Sequence, residues 1–125
     1  MSDFESYIES VNPRELMRGL ESSYAETIVR QIDYFTEKEA EERDRIVLDY
    51  FGESGINRVV DFVVSYLLSP PRLERGAHIL DVGASSGIFT IEVIEALRNH
   101  VPGASFYAMD IIPIMLKILL RKRAE

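Results

Sequence analysis

Apolar side chains recur at the three- and four-residue spacing of amphipathic helices throughout the first 69 residues. A capping box at Ser2 predicts a short helix that runs to about Ser10, and Asn12 before a proline predicts a second helix start. Another capping box at Ser23 predicts a break near Ser22. The pattern therefore predicts several short helices in this part of the chain.

Three further signals divide the rest of this helical segment. Thr36 with a glutamate three residues later is typical of a helix start, and Gly52 is suited to a helix end. The segment Gly55–Ser69 carries a broad apolar face and ends at a pair of prolines, which cannot continue a helix. The first 69 residues are thus predicted to form four or five helices.

The pattern of apolar positions changes after Gly76. Short apolar runs at Ala77–Val82 and Ala104–Met109 predict buried strands, and each run precedes a helical pattern, at Gly87–Asn99 and from Pro113 to the end. Strands that alternate with helices in this way pair in parallel through right-handed crossovers. The sequence therefore predicts an α/β fold, with a helical N-terminal segment followed by a βαβα unit with parallel strands.

Charge divides the chain at the connector Pro70–Gly76. Residues 1–69 of the 125-residue chain hold seven Lys and Arg against fifteen Asp and Glu, a net −8, whereas residues 70–125 have a net +1. Such an acidic N-terminal part disfavours binding to the phosphate backbone of nucleic acids. We place the boundary at this connector, with residues 1–69 as an N-terminal helical extension and residues 70–125 as a separate α/β part.

Two local charge runs have simple structural interpretations. The polar run Glu37–Arg45 is interpreted as a solvated helix face with local ion pairs, and the basic run Arg121–Arg123 as a favourable interaction with a helix dipole. The chain has no cysteines, which excludes disulfides and thiolate sites and leaves a reducing cytoplasm as the default compartment. No apolar run reaches the ~20 residues of a membrane span, so no membrane partner is expected.

The candidate chemistry lies in the loop that follows the first predicted strand. Asp81 closes this strand, the small-residue loop Gly83–Gly87 follows, and Asp110 closes the second strand. Ligands bind outside the carboxyl ends of parallel strands, so these three features are expected at one edge of the sheet. Asp110 is placed to accept hydrogen bonds from ribose hydroxyls, and Ile111 with Ile112 is suited to form an apolar wall for a purine.

The loop does not match the dinucleotide-binding fingerprint G-x-G-x-x-G, because Ser85 and Ile88 replace its second and third glycines. Asp81 would repel a pyrophosphate and favours a cationic amino-acid group. The loop also fits the hydrolase motif Gly-x-Ser-x-Gly, whose serine needs a nearby histidine, but neither His78 nor His100 is placed near the loop. Neither histidine joins carboxylates at metal-ligand spacing. The pattern favours a nucleoside that carries an amino acid.

These residues resemble the class I S-adenosylmethionine-dependent methyltransferases. Asp81–Gly87 resembles the family's acidic-x-Gly-x-Gly-x-Gly loop, with Ser85 in place of the middle glycine, and Met109–Leu116 resembles its second strand and following helix. The resemblance implies a Rossmann-like domain that binds S-adenosylmethionine under a helical cap. The residues that it implies in cofactor binding are Asp81, Gly83, Ala84, Ser85, Ser86, Gly87, Asp110 and Ile111.

The resemblance covers residues 77–125, and family members continue for several more strands. Those strands carry the adenine contact and the catalytic groups, so residues 70–125 are expected to be the truncated first half of the domain, and no catalytic residue is assigned. A two-stranded parallel sheet exposes its edge, so association through that edge or through the N-terminal helices is expected. Two alternatives stay open: a non-catalytic dimerisation or partner-binding module, and a site for another nucleotide.

Overall fold

The structure, a computed structural model, describes residues 22–124 and the separate positions Ser6, Ser10, Asn12, Glu15 and Arg18. The helices predicted before Ser22 lie outside the described residues. The described range is a mixed α/β fold in which helices dominate. Its elements are α1 (Ser22–Tyr34), α2 (Glu37–Leu68), β1 (His78–Val82), α3 (Ile88–Leu97), β2 (Ser105–Met109) and α4 (Pro113–Ala124).

The helix boundaries follow the local signals in the sequence. Residues 19–21 lie outside the described ranges, so the break near Ser22 remains a prediction, whereas Thr36 occupies the N-cap of α2. The Thr36 hydroxyl donates a hydrogen bond to the Glu39 carboxylate and makes no bond to the helix backbone, so the cap lacks its usual contact. Gly52, with φ 64° and ψ 171°, is non-helical, so α2 consists of two helical parts that meet at this glycine.

The two strands pair in parallel, as predicted. The register runs from His78 opposite Ser105 to Val82 opposite Met109. Side chains alternate between the two faces of the sheet. On β1 the half-buried face carries Asp81, whereas the other face is largely exposed. The strand ends and the loop after β1 therefore lie side by side at one edge.

Helix α2 packs against both helices of the βαβα unit. Next to its break at Gly52 it contacts α3, where the rings of Phe51 and Phe89 meet edge to face with their centroids 5.6 Å apart. Its first part contacts α4 through Ala40, which is fully buried in a cluster with Met115 and Ile118. Ile32 of α1 and Phe35, which follows that helix, pack on the same cluster. The helical segment and the βαβα unit thus share one core.

This packing corrects the interpretation of the two charged runs. Ala40 and Asp44 of the polar run are buried, because this face of α2 lies against α4. Two side chains of the basic run pair with α2: Arg121 contacts the Glu37 carboxylate, and Lys122 lies 2.5 Å from Asp44 Oδ2. The hydrogen bond from Arg121 lowers the pKa of Glu37. The basic run therefore joins two helices, which a helix-dipole interaction alone does not explain.

Within the described ranges, none of the helices combines the length and the apolar character needed to cross a membrane.

Candidate functional site

The loop between β1 and α3 is held over the end of the sheet by backbone hydrogen bonds. The N–H groups of Gly83 and Ala84 both donate to the Met109 carbonyl, at 2.8 and 3.0 Å. Gly83 and Gly87 have φ values of 76° and 82°. Ser85 has a φ of 55°, a left-handed conformation that costs a residue with a side chain roughly 1–2 kcal/mol. The middle position of the loop thus has a backbone suited to glycine, although serine occupies it.

Gly87 is required at its position for a second reason. A Cβ atom there would lie 2.7 Å from Leu119 Cγ, so the first turn of α3 approaches α4 more closely than a side chain allows. A Cβ at Gly83 would meet nothing within 4 Å. Gly87 therefore serves the packing of two helices, whereas Gly83 faces open space where a ligand can approach the backbone.

Asp110 joins the loop to the start of α4. Its Oδ2 accepts a 2.7 Å hydrogen bond from the Ser85 N–H, and its Oδ1 accepts a 2.9 Å bond from the Ile112 N–H. A carboxylate offers about four acceptor positions, so both oxygens can still accept from ligand hydroxyls. The role of Asp110 as a ribose ligand remains a prediction, and the observed bonds connect its carboxylate to the loop and to the residue before α4.

Asp81 lies on the side of the sheet that faces α3. Its Oδ2 accepts a 2.5 Å hydrogen bond from the hydroxyl of Thr90, which is buried in the first turn of α3. This bond fixes the carboxylate between strand and helix. The predicted contact of Asp81 with an amino-acid group remains a prediction, and the observed contact is structural.

Asp44 is a site residue that the sequence analysis missed. Its carboxylate is buried, with Oδ1 accepting a hydrogen bond from the Ser86 hydroxyl and Oδ2 paired with Lys122. The one signal for Asp44 in the sequence is Ala40, an isolated small residue in a charged run. Ala40 lies one helical turn before Asp44, and a small residue at that spacing is typical of a helix face that packs closely. Through Asp44, helix α2 is tied directly to the glycine loop.

A cleft of about 770 Å³ lies between the helical segment and the loop. The loop side is lined by Gly83, Ser85, Asp110, Ile112 and Met115. The helical side is lined by Thr27, Arg30, Gln31, Tyr34, Phe35 and Arg43. The volume falls within the range of small-molecule sites, about 300–1,000 Å³.

The predicted cofactor residues divide into three groups in the structure. Gly83, Ser85 and Asp110 line the cleft. Ala84, Ser86 and Gly87 are buried beneath it and shape the loop. Asp81 and Ile111 lie outside the lining, with Ile111 49% exposed, and the apolar wall is formed by Ile112 in its place.

Comparison with known proteins does not assign the chain to a family. No family model matches it, and neither a curated protein nor a solved structure does. The resemblance to methyltransferases therefore remains a prediction that depends on the loop, Asp110 and the spacing between them. Among the described residues, no group of three or more His, Cys, Asp or Glu side chains is arranged to hold a metal ion.

Proposed function

We propose that this chain is the cofactor-binding portion of a class I S-adenosylmethionine-dependent methyltransferase, with the βαβα unit as the first half of a Rossmann-like domain. One observation carries the proposal. The carboxylate at the end of β2 is hydrogen-bonded to the loop after β1, and both line one cleft of suitable volume. The ligand position expected for a Rossmann-like sheet is this edge.

The residues of the cleft fit an adenosine that carries an amino acid. Asp110 keeps acceptor capacity for ribose hydroxyls, and the open space at Gly83 lets a ligand lie close to the backbone of the loop. Ile112, Met115 and Phe35 offer an apolar surface for a purine. Bound S-adenosylmethionine would supply an activated methyl group for in-line transfer to an acceptor, and the protein's share is positioning and exclusion of water.

Isothermal calorimetry with S-adenosylhomocysteine tests the proposal. We expect the parent to bind it and Asp110→Ala to weaken binding by at least about tenfold, because the charged acceptor for the ribose is lost. Asp49→Ala serves as the matched control, since Asp49 is an exposed residue of α2 outside the cleft. No binding by a folded parent, or equal binding by both variants, would contradict the proposal. Tighter binding of NAD or ATP would favour another nucleotide.

An association module is the second candidate function. The outer face of the two strands exposes Leu80, Val82, Tyr107 and Met109, each at least half accessible to solvent. A monomer seldom leaves a contiguous apolar sheet face in water, and a second copy of the chain brings an identical face to it. A folded sample that self-associates through this face and binds no nucleoside would support this candidate over the first.

A further inference from the structure

The cleft contains two cations that have no partner among the described residues. Arg30 of α1 and Arg43 of α2 both line it, and neither forms a hydrogen bond or ion pair with any described residue. Arg43 is half-buried. A chain with a net charge of −7 offers many carboxylates, so two unpaired guanidinium groups at one cleft need a reason.

The carboxylates next to these arginines along the helices form no ion pair with them among the described residues. Glu39 precedes Arg43 by one turn, the spacing of a helical ion pair, but it accepts a hydrogen bond from Thr36. Both oxygens of Asp44 are taken by Ser86 and Lys122. Arg30 has Glu26 and Asp33 at one-turn spacing, and neither carboxylate pairs with it. Both guanidinium groups therefore remain available to a ligand.

The two walls of the cleft carry charged groups of opposite sign. On the helical wall, Thr27, Gln31 and Tyr34 lie on the same face of α1 as Arg30, and all can donate hydrogen bonds. On the loop wall the one charged group is the Asp110 carboxylate, which can only accept. A ligand that spans the cleft therefore places hydroxyls towards Asp110 and acceptor oxygens towards the arginines.

We propose that Arg30 and Arg43 form a subsite for an oxyanion, a carboxylate or phosphate group of the small molecule bound in the cleft. Guanidinium groups bind such oxygens through paired, charge-assisted hydrogen bonds. Two sources fit this chemistry: the amino-acid carboxylate of the cofactor and an oxyanion on the methyl acceptor. The inference rests on the proposed function for the occupant of the rest of the cleft.

The test compares ligands with and without an oxyanion in Arg30→Gln, Arg43→Gln and the double variant. S-adenosylhomocysteine carries the amino-acid carboxylate, 5′-methylthioadenosine lacks it, and phenyl phosphate stands in for an anionic acceptor. Arg45→Gln is the matched control, because Arg45 is exposed, outside the cleft and about 200° around the same helix from Arg43. Thermal unfolding checks that every variant is folded.

We expect the double variant to bind one oxyanion ligand at least about tenfold more weakly and 5′-methylthioadenosine within about twofold of the parent. Loss confined to S-adenosylhomocysteine identifies the cofactor carboxylate, and loss of phenyl phosphate from the cofactor-loaded protein identifies the acceptor. Equal loss for all three ligands, or none beyond that of Arg45→Gln, overturns the proposal.

Failure of the proposed function gives a different result from failure of the oxyanion subsite. A parent that binds neither nucleoside contradicts the methyltransferase assignment. Phenyl phosphate alone then decides the subsite: binding that the double variant loses supports it, and absence of binding to the parent overturns it.

Discussion

At the scale of single residues, the loop after β1 concentrates unusual backbone conformations. Gly83, Ser85 and Gly87 all have positive φ values within five positions. The loop could be identified in the sequence because glycine and serine cluster there. The sequence did not indicate which of the two glycines, Gly83 or Gly87, tolerates a side chain less well. Only the position of Leu119 shows that Gly87 is also restricted by packing.

We expect Gly87→Ala to lower the free energy of unfolding by about 3 kcal/mol. The new methyl group adds overpacking against Leu119, about 1–3 kcal/mol, to the left-handed strain of about 1–2 kcal/mol. Gly83→Ala has the same backbone strain but no neighbour within 4 Å, so about 1 kcal/mol is expected. Urea denaturation of the two variants gives the comparison. Equal losses would show that the contact with Leu119 is unimportant.

At the scale of elements, α2 connects the helical segment to the βαβα unit. It packs on α3 and α4 and reaches the glycine loop through Asp44. Its start and its break at Gly52 could be predicted, because Thr36 and Gly52 act locally. Its buried charge could not, because the partners of Asp44 lie 42 and 78 positions away in sequence.

Asp44→Ala is expected to lower the free energy of unfolding by about 2–3 kcal/mol. Breaking a buried ion pair costs about 3–5 kcal/mol, and Lys122 is one-third exposed, so water can compensate part of its loss. The exposed Asp49→Ala on the same helix should stay within about 0.5 kcal/mol of the parent. In urea denaturation, Lys122→Met should cost less in the Asp44→Ala background than in the parent. Strict additivity would refute the pairing.

At the scale of the whole molecule, the strands were easier to predict than the site. The apolar runs identified β1 and β2, and their order specified a parallel pair, but the prediction that the strands are buried was wrong for one face, which is exposed. The loop and Asp110 were placed at one edge by the topology alone. Arg30 and Arg43 were missed, since they become part of the cleft only when α1 and α2 pack over the loop.

The exposed sheet face leads to an expectation about assembly. The chain should self-associate, and Leu80→Lys should weaken association by about tenfold or more, because a charge would be buried between the faces. Ile46→Lys is the control, as Ile46 is also exposed but lies on α2. Sedimentation velocity over a concentration series measures the effect. A monomeric parent, or equal effects of both lysines, would exclude association through this face.

The hydrogen bond between Ser86 and Asp44 constrains the evolution of the sequence at both positions. A substitution at either position leaves a buried polar group of the other segment without its partner. The loop and α2 are therefore expected to diverge together, with paired replacements at positions 44 and 86. For the same reason, the βαβα unit is not expected to be stable when it is transferred to another protein without α2. Both Ser86 and Lys122 would then lose their partner, Asp44.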